Sequence, residues 1–422
     1  MSPATAMSPG RCCWLAAGLL CGAAAALAET SPYSLGAALD VHRDSNLYRV
    51  ADGQEAFLPA DRSKAETITT ASLIAGLDQP FGRQRLFGSA SLRSSRYANN
   101  AALNNSGYGL NLGLDWSAPE RISGNFGILA NQGLAQFNAL SGTSAQTRKN
   151  IENTQQIDAK VRVGVVTRYT AEFGLTRRSV AYSAPEYDSG EYGQTSASLG
   201  LRYRPGGALT LGSALRMART NYPNYFRFLA DPADRFRRQD LDVTADWKPT
   251  GASDLSARLS ATRTSYDRAD VRNISGFTGG ATWAWRPAGK LSFGLSLQRD
   301  TGQESAFANL GAAGSVIADY SRITTSAAIN SVYELTSKVS VSASASTSHR
   351  GLQDAGSLSS ASSTARSGND TTNVFKLGAA WTPTRNSKVG CDLGSERRSA
   401  SGGLSNALRS SSFGCSGQIL VQ

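Results

Sequence analysis

Arginine and lysine recur at even spacings in segments that show no helical period. Lys160 and Arg162, Glu172 and Arg178, and Arg202 and Arg204 are such sets, and Arg216 and Arg258 sit in similar segments. In an extended chain, residues an even number of positions apart share a face. A row of guanidinium groups can hold carboxylates, phosphates or sulfates, and rings of Arg and Lys draw acidic solutes through a pore. The other use of such a row is to balance Glu and Asp across a wet interior. A second group lies in residues 223–239, where Tyr225, Phe226, Arg227 and Phe228 precede Arg235, Phe236, Arg237 and Arg238. Aromatic faces stack on sugar rings and Arg pairs with carboxylates, a mix that suits an acidic polysaccharide. Alternatively, the segment folds on its own Phe cluster and meets lipopolysaccharide with its arginines.

Catalytic chemistry has little to work with. His42 and His349 are the only histidines, and neither has more than sequence proximity to Asp40 or Ser348. A hydrolase needs a nucleophile, a base and an orienting group within reach of one another. No phosphate loop, zinc spacing or haem motif occurs, so no cofactor, metal or enzymatic activity is expected. Of five cysteines, Cys12, Cys13 and Cys21 fall in the leader described below. Cys391 and Cys415 lie symmetrically about the tip of the last hairpin. In an oxidising compartment they either form a cross-strand disulfide or stay reduced as small wall residues.

The elements that must carry these residues are strands. Residues 339–348 alternate Val, Val, Ala, Ala and Thr with five serines. One apolar and one hydroxyl face is the period-2 mark of a wall between two solvents. The pattern returns in residues 157–163, 209–217, 241–247, 255–261 and 291–297. Trp116, Tyr203, Trp247, Trp285 and Trp381 each stand two or three residues before a proline. Proline gives no N–H to a ladder and should end each strand there. Rings at such ends form an aromatic girdle at a membrane–water interface.

Short connections are expected near residues 80–84, 118–121, 164–167, 205–208, 249–253, 287–290, 335–338 and 383–387. Longer polar ones alternate with them, at 51–66, 98–106, 138–150, 183–190, 223–239, 268–273, 303–318, 352–370 and 400–408. This predicts an all-β fold, a transmembrane antiparallel up-and-down β-barrel of about 18 strands, with 16 to 20 as the range. The first strand falls near residues 33–43 and the last near 411–421, with short turns and both termini in the periplasm.

The chain has 422 residues, 40% hydrophobic, with 42 glycines and a net charge of +11. Residues 1–11 are basic, 14–28 are apolar, and Ala26-Leu27-Ala28 supplies a cleavage site, so residues 1–28 read as a signal peptide and 29–422 as the barrel. No later run is long and apolar enough for a membrane helix. Behind a signal peptide the positive charge points to lipopolysaccharide or an acidic solute and away from nucleic acid.

Residues 33–49 run Tyr-Ser-Leu-Gly-Ala-Ala-Leu-Asp-Val-His-Arg-Asp-Ser-Asn-Leu-Tyr-Arg. A first strand followed by Asp44-x-Asn46-Leu47-aromatic-Arg49 resembles the exosortase-associated outer-membrane proteins of exopolysaccharide biosynthesis. Residues 66–72, the turn beginning Leu77-Asp-Gln-Pro80-Phe-Gly, and Phe413-Gly-Cys415-Ser are similar too. The resemblance implies a role in secreting an extracellular polysaccharide, with periplasmic and inner-membrane synthesis machinery as partners. The chain ends in Ile419-Leu-Val-Gln422 rather than in a terminal aromatic.

Overall fold

A computed structural model describes residues 31–53, 58–118, 121–137, 147–165, 167–224, 233–267, 273–301, 321–354, 366–402 and 405–422. The signal-peptide reading of residues 1–28 lies outside them. The strands in chain order are β1 (Tyr33–Asp44), β2 (Glu66–Phe81), β3 (Gln84–Tyr97), β4 (Asn105–Ser117), β5 (Ile122–Leu134) and β6 (Ile151–Val163). There follow β7 (Tyr169–Tyr182), β8 (Tyr192–Gly206), β9 (Leu209–Tyr222), β10 (Asp234–Thr250), β11 (Ser253–Tyr266) and β12 (Ile274–Ala288). The last are β13 (Leu291–Asp300), β14 (Ser321–Glu334), β15 (Val339–Asp354), β16 (Arg366–Thr384), β17 (Ser387–Ser401) and β18 (Leu408–Val421). Each strand pairs antiparallel with its sequence neighbour, and β18 pairs with β1 from Leu35↔Val421 to Asp44↔Ser412. The result is a closed barrel of eighteen strands. Closure removes every edge, so no backbone row is left unpaired.

The alternation in sequence decides which face each side chain takes. In β15 the Val and Ala positions face out and Ser340, Ser342, Ser344, Ser346 and Ser348 face the lumen. Outward positions elsewhere carry large apolar residues such as Leu199, which is 63% exposed, with Leu73, Leu215, Leu259 and Phe277. So continuous an exposed apolar belt suits lipid and not water.

Four of the prolines behave differently from the expectation that they end strands; Pro119 lies outside the described residues. In β8, β10, β12 and β16 the strand runs past Pro205, Pro249, Pro287 and Pro383. The register shifts at each, between Tyr203 and Gly206, Trp247 and Thr250, Trp285 and Ala288, and Trp381 and Thr384. Two residues face one across each hairpin, which is a β-bulge. The residue before each proline donates its N–H to the other side, Arg204 to Arg168 O, Lys248 to Ala208 O, Arg286 to Ala252 O and Thr382 to Lys338 O. The proline occupies the position where the ladder needs no donor, so the bulge absorbs it. At the first hairpin, Phe81 pairs with Gln84 around Gly82 at φ +60°, the left-handed position that a two-residue turn requires.

Three connections differ most from their expected extent, and the one after β1 starts at residue 45 rather than 51. The one after β15 is shorter, because β15 continues to Asp354 and β16 begins at Arg366. Residues 234–239 are strand and not loop.

Candidate functional site: the lumen

The lumen face of β6–β13 carries paired charges in two networks, one around Glu172 and Asp246 and one around Asp240, Asp242 and Asp300. Arg162 lies 3.0 Å from Glu172, and Arg202 lies 3.2 Å from Glu172 and 3.7 Å from Asp246. Arg216 is 3.3 Å from both Asp240 and Asp242. Arg258 reaches Asp242 at 3.7 Å and Asp300 at 3.8 Å. Arg238, 1% exposed, donates Nε to Asp240 and Nη1 to Asp300 Oδ1 at 2.8 Å. Ser260 and Thr262 donate hydroxyls to Asp242 and Asp240. Arg178 is buried, and its Nη1 donates to Gln156 Oε1 at 2.9 Å.

The sequence-derived cations Lys160, Arg162, Arg178, Arg202, Arg216 and Arg258 thus share the lumen face. Arg204 does not join them: it is exposed at the short-turn rim, where Nη1 donates to Val165 O at 2.9 Å. The sector is not a bare basic strip. Alternation marked the arginines, but their carboxylate partners stand on neighbouring strands, and strand register alone brings them together. Asp240, Asp242, Asp246 and Asp300 were missed for that reason, although Asp240, Asp242 and Asp246 follow the same even spacing along β10.

The wall beyond these networks is lined by hydroxyls and amides. Ser296, Asn330, Ser342, Ser344 and Ser346 face a cavity of about 1100 Å³, which Arg202, Asp246, Arg258 and Lys376 also border. These groups can hydrogen-bond to water and to hydrated solutes.

The connection after β1 folds into a small core. Tyr48, Val50, Tyr97, Leu103 and Phe137 pack together, with the Tyr48 and Phe137 rings 4.7 Å apart. The Tyr48 hydroxyl donates to Asn100 Oδ1 at 3.0 Å, and the Asn100 amide donates to Glu66 Oε2 at 2.7 Å. Asn46 Nδ2 donates to Val50 O and to Arg409 O. Arg49, at φ +54°, pairs with Asp44 at 2.8 Å and with Glu396 at 3.2 Å. The Asp44-x-Asn46-Leu-Tyr48-Arg49 motif is therefore a folding unit that ties β17 and β18 to the exit of β5. Burial pushes the Tyr48 phenol up to about 12. Residues 51–66, which follow the motif, read as a polar loop in sequence, because the anchors of this core are far apart in the chain.

Of the second residue group, Tyr225, Phe226, Arg227 and Phe228 lie outside the described residues. The remainder is split by the pleat of β10: Phe236 and Arg238 point inward and are buried, and Arg235 and Arg237 point outward and are exposed. These four do not form one sugar-facing loop. Phe236 instead packs between Tyr222 at 6.3 Å and Tyr266 at 5.0 Å.

Trp116, Tyr203, Trp247, Trp285 and Trp381 all take outward positions at the short-turn end. Tyr203 stacks on Tyr169 at 5.0 Å, and Trp285 on Trp283 at 5.5 Å. Cys391 and Cys415 are directly opposite in the β17–β18 register and disulfide-bonded, on the outer face. His42 faces the lumen from β1 and His349 faces out from β15, its Nδ1 3.0 Å from Thr371 Oγ1, so they share no site. Among the described residues no group of His, Cys, Asp and Glu is placed to hold a metal.

The fold is that of a large transmembrane β-barrel with a polar lumen. Neither protein-family models nor curated protein sequences give a match to the chain. Among solved structures it is similar to the Pseudomonas aeruginosa outer membrane protein OpdK, at 15% identity and TM-score 0.46, over 92% of this chain and 99% of that one. It is also similar to P. aeruginosa OccK5 (OpdH), at 10% identity and TM-score 0.44, covering 92% and 98% of the two chains. For P. aeruginosa OccK9 (OpdG) the values are 12% and 0.47, with the same coverages of 92% and 98%.

Proposed function

We propose that this protein is an outer-membrane porin through which small hydrophilic solutes diffuse. The observation that carries the reading is the closed eighteen-stranded wall, apolar outside and hydroxyl-lined or charge-paired inside. A barrel of this strand number is wide enough for an aqueous channel. Because most of the lumen-facing arginines on β6–β11 already hold carboxylates, the channel discriminates weakly between anions and cations. Short turns and both termini face the periplasm in this reading, and the long connections face outward.

Purified protein in a planar bilayer tests it. The expected result is stepwise conductance with a small reversal potential under a KCl gradient. Absence of conductance would overturn the porin assignment.

A second reading, passage of an exopolysaccharide, draws support from the serine rows of β15, which suit a hydrated sugar chain. It predicts that polymer leaves the surface and collects in the periplasm of a strain lacking the protein. Unchanged surface polymer refutes it without touching the porin reading.

A further inference from the structure

We infer that the outer face of the barrel, at the long-connection end, is a binding belt for the phosphate groups of lipopolysaccharide. The inference rests on the membrane orientation proposed above but not on the pore being open.

Outward positions just above the apolar belt carry arginine on strand after strand. Arg219 is two residues above Met217, Arg177 two above Leu175 and Arg43 two above Val41, and each of these neighbours is an exposed apolar residue. Arg263 and Arg397 stand four residues above Leu259 and Leu393. At about 3.3 Å per residue, the guanidinium groups lie roughly 7–13 Å beyond those apolar side chains, at headgroup depth.

Two features show that most of this belt lacks a counter-charge among the described residues. Arg219 is directly opposite Arg237 in the β9–β10 register, and Arg397 is directly opposite Arg409 in the β17–β18 register. Like charges facing each other across strands destabilise a sheet unless something neutralises them. Among the described residues, no Asp or Glu occupies an outward strand position, and Arg177, Arg219, Arg237, Arg263 and Arg397 have no ion pair. Arg409 has one exposed partner, Asp52, at 3.5 Å.

The counter-charge that the described residues lack is supplied, in this proposal, by the surroundings at that depth. It has to be multivalent, because two guanidinium groups converge at each of two places, and it has to be lipid-borne, because the belt adjoins the hydrocarbon surface. Phosphate monoesters on a lipid A disaccharide meet both demands, and Arg pairs with phosphate bidentately. Arg235 and Arg237 take this role rather than that of sugar contacts in a loop.

The test is binding of purified, folded barrel to defined lipopolysaccharide in detergent, read by native mass spectrometry. Enzymatically dephosphorylated lipopolysaccharide and phosphatidylglycerol serve as comparators. The expected result is binding of the phosphorylated form, weakened at least about tenfold in R219Q/R237Q and in R397Q/R409Q, since each surface cation contributes about 1 kcal/mol. Lys290→Gln, at the opposite rim, should leave it unchanged. Equal binding of the dephosphorylated form, of phosphatidylglycerol or by the two double variants would overturn the assignment. Conductance of the same preparations is read separately, so a closed channel that still binds lipopolysaccharide sinks only the porin reading.

Discussion

Arg49 and Glu396 meet at 3.2 Å, joining the connection after β1 to β17 almost the whole chain length away. The contact ties the packed Tyr48 segment to the wall at β17. Arg49→Gln and Glu396→Gln should each loosen that segment by about 1 kcal/mol, since both side chains are partly exposed. Single-channel recordings should then show larger or noisier conductance. Recordings identical to the parent would mean that the segment does not border the solute path.

Tyr48 links the same segment to pH. Its folded pKa of about 12 lies above the ordinary value of 10.0. The stabilisation from keeping the phenol neutral is fully present below pH 10 and lost as pH rises through about 12. Trypsin cleavage within residues 45–65 should therefore increase only above about pH 10, and Tyr48→Phe should remove that rise.

Arg238 is buried with two carboxylates and three hydroxyls as partners or near neighbours. Removing it takes the buried cation from Asp240 and Asp300 and leaves them only the more exposed Arg216 and Arg258. Arg238→Ala should cost about 3–5 kcal/mol in urea unfolding of the refolded barrel. Arg162→Ala, whose partner is more exposed, should cost far less.

Neighbouring positions on β15 separate the two faces of the wall. Ala345→Arg places a charge in the lipid layer and should destabilise the barrel by about 2–4 kcal/mol. Ser344→Arg, one residue away, enters the water-filled cavity and should leave stability nearly unchanged while lowering conductance. Equal losses of stability would mean that the two positions do not face different environments.

Cys391 and Cys415 close a 24-residue separation on the lipid face. Mass analysis after alkylation in urea without reductant should find no free thiol. The double change to serine should lower stability by about 3 kcal/mol. In membranes, a water-soluble reductant should open the bond only after unfolding, because lipid covers it.

Local chemistry made much of this protein legible in sequence. Period-2 alternation in segments such as residues 339–348 marked strands with two different faces, and alternating short and long connections marked their number and antiparallel order. The aromatic residues before proline marked the short-turn rim. The same local rule misjudged four of the prolines, because a β-bulge depends on the residue across the hairpin and not on the proline's own segment.

The lumen depended on contacts that no single segment contains. Even spacing placed Arg202, Arg216 and Arg258 on one face, but whether they stand free or paired depends on Asp246, Asp240, Asp242 and Asp300 from other strands. The pairing of Arg49 with Glu396 and the facing of Arg219 by Arg237 have the same origin. Side-chain direction follows from the geometry of one strand and can be read along the chain. Charge neighbours follow from register between strands, and closure of the barrel fixes that register only in three dimensions.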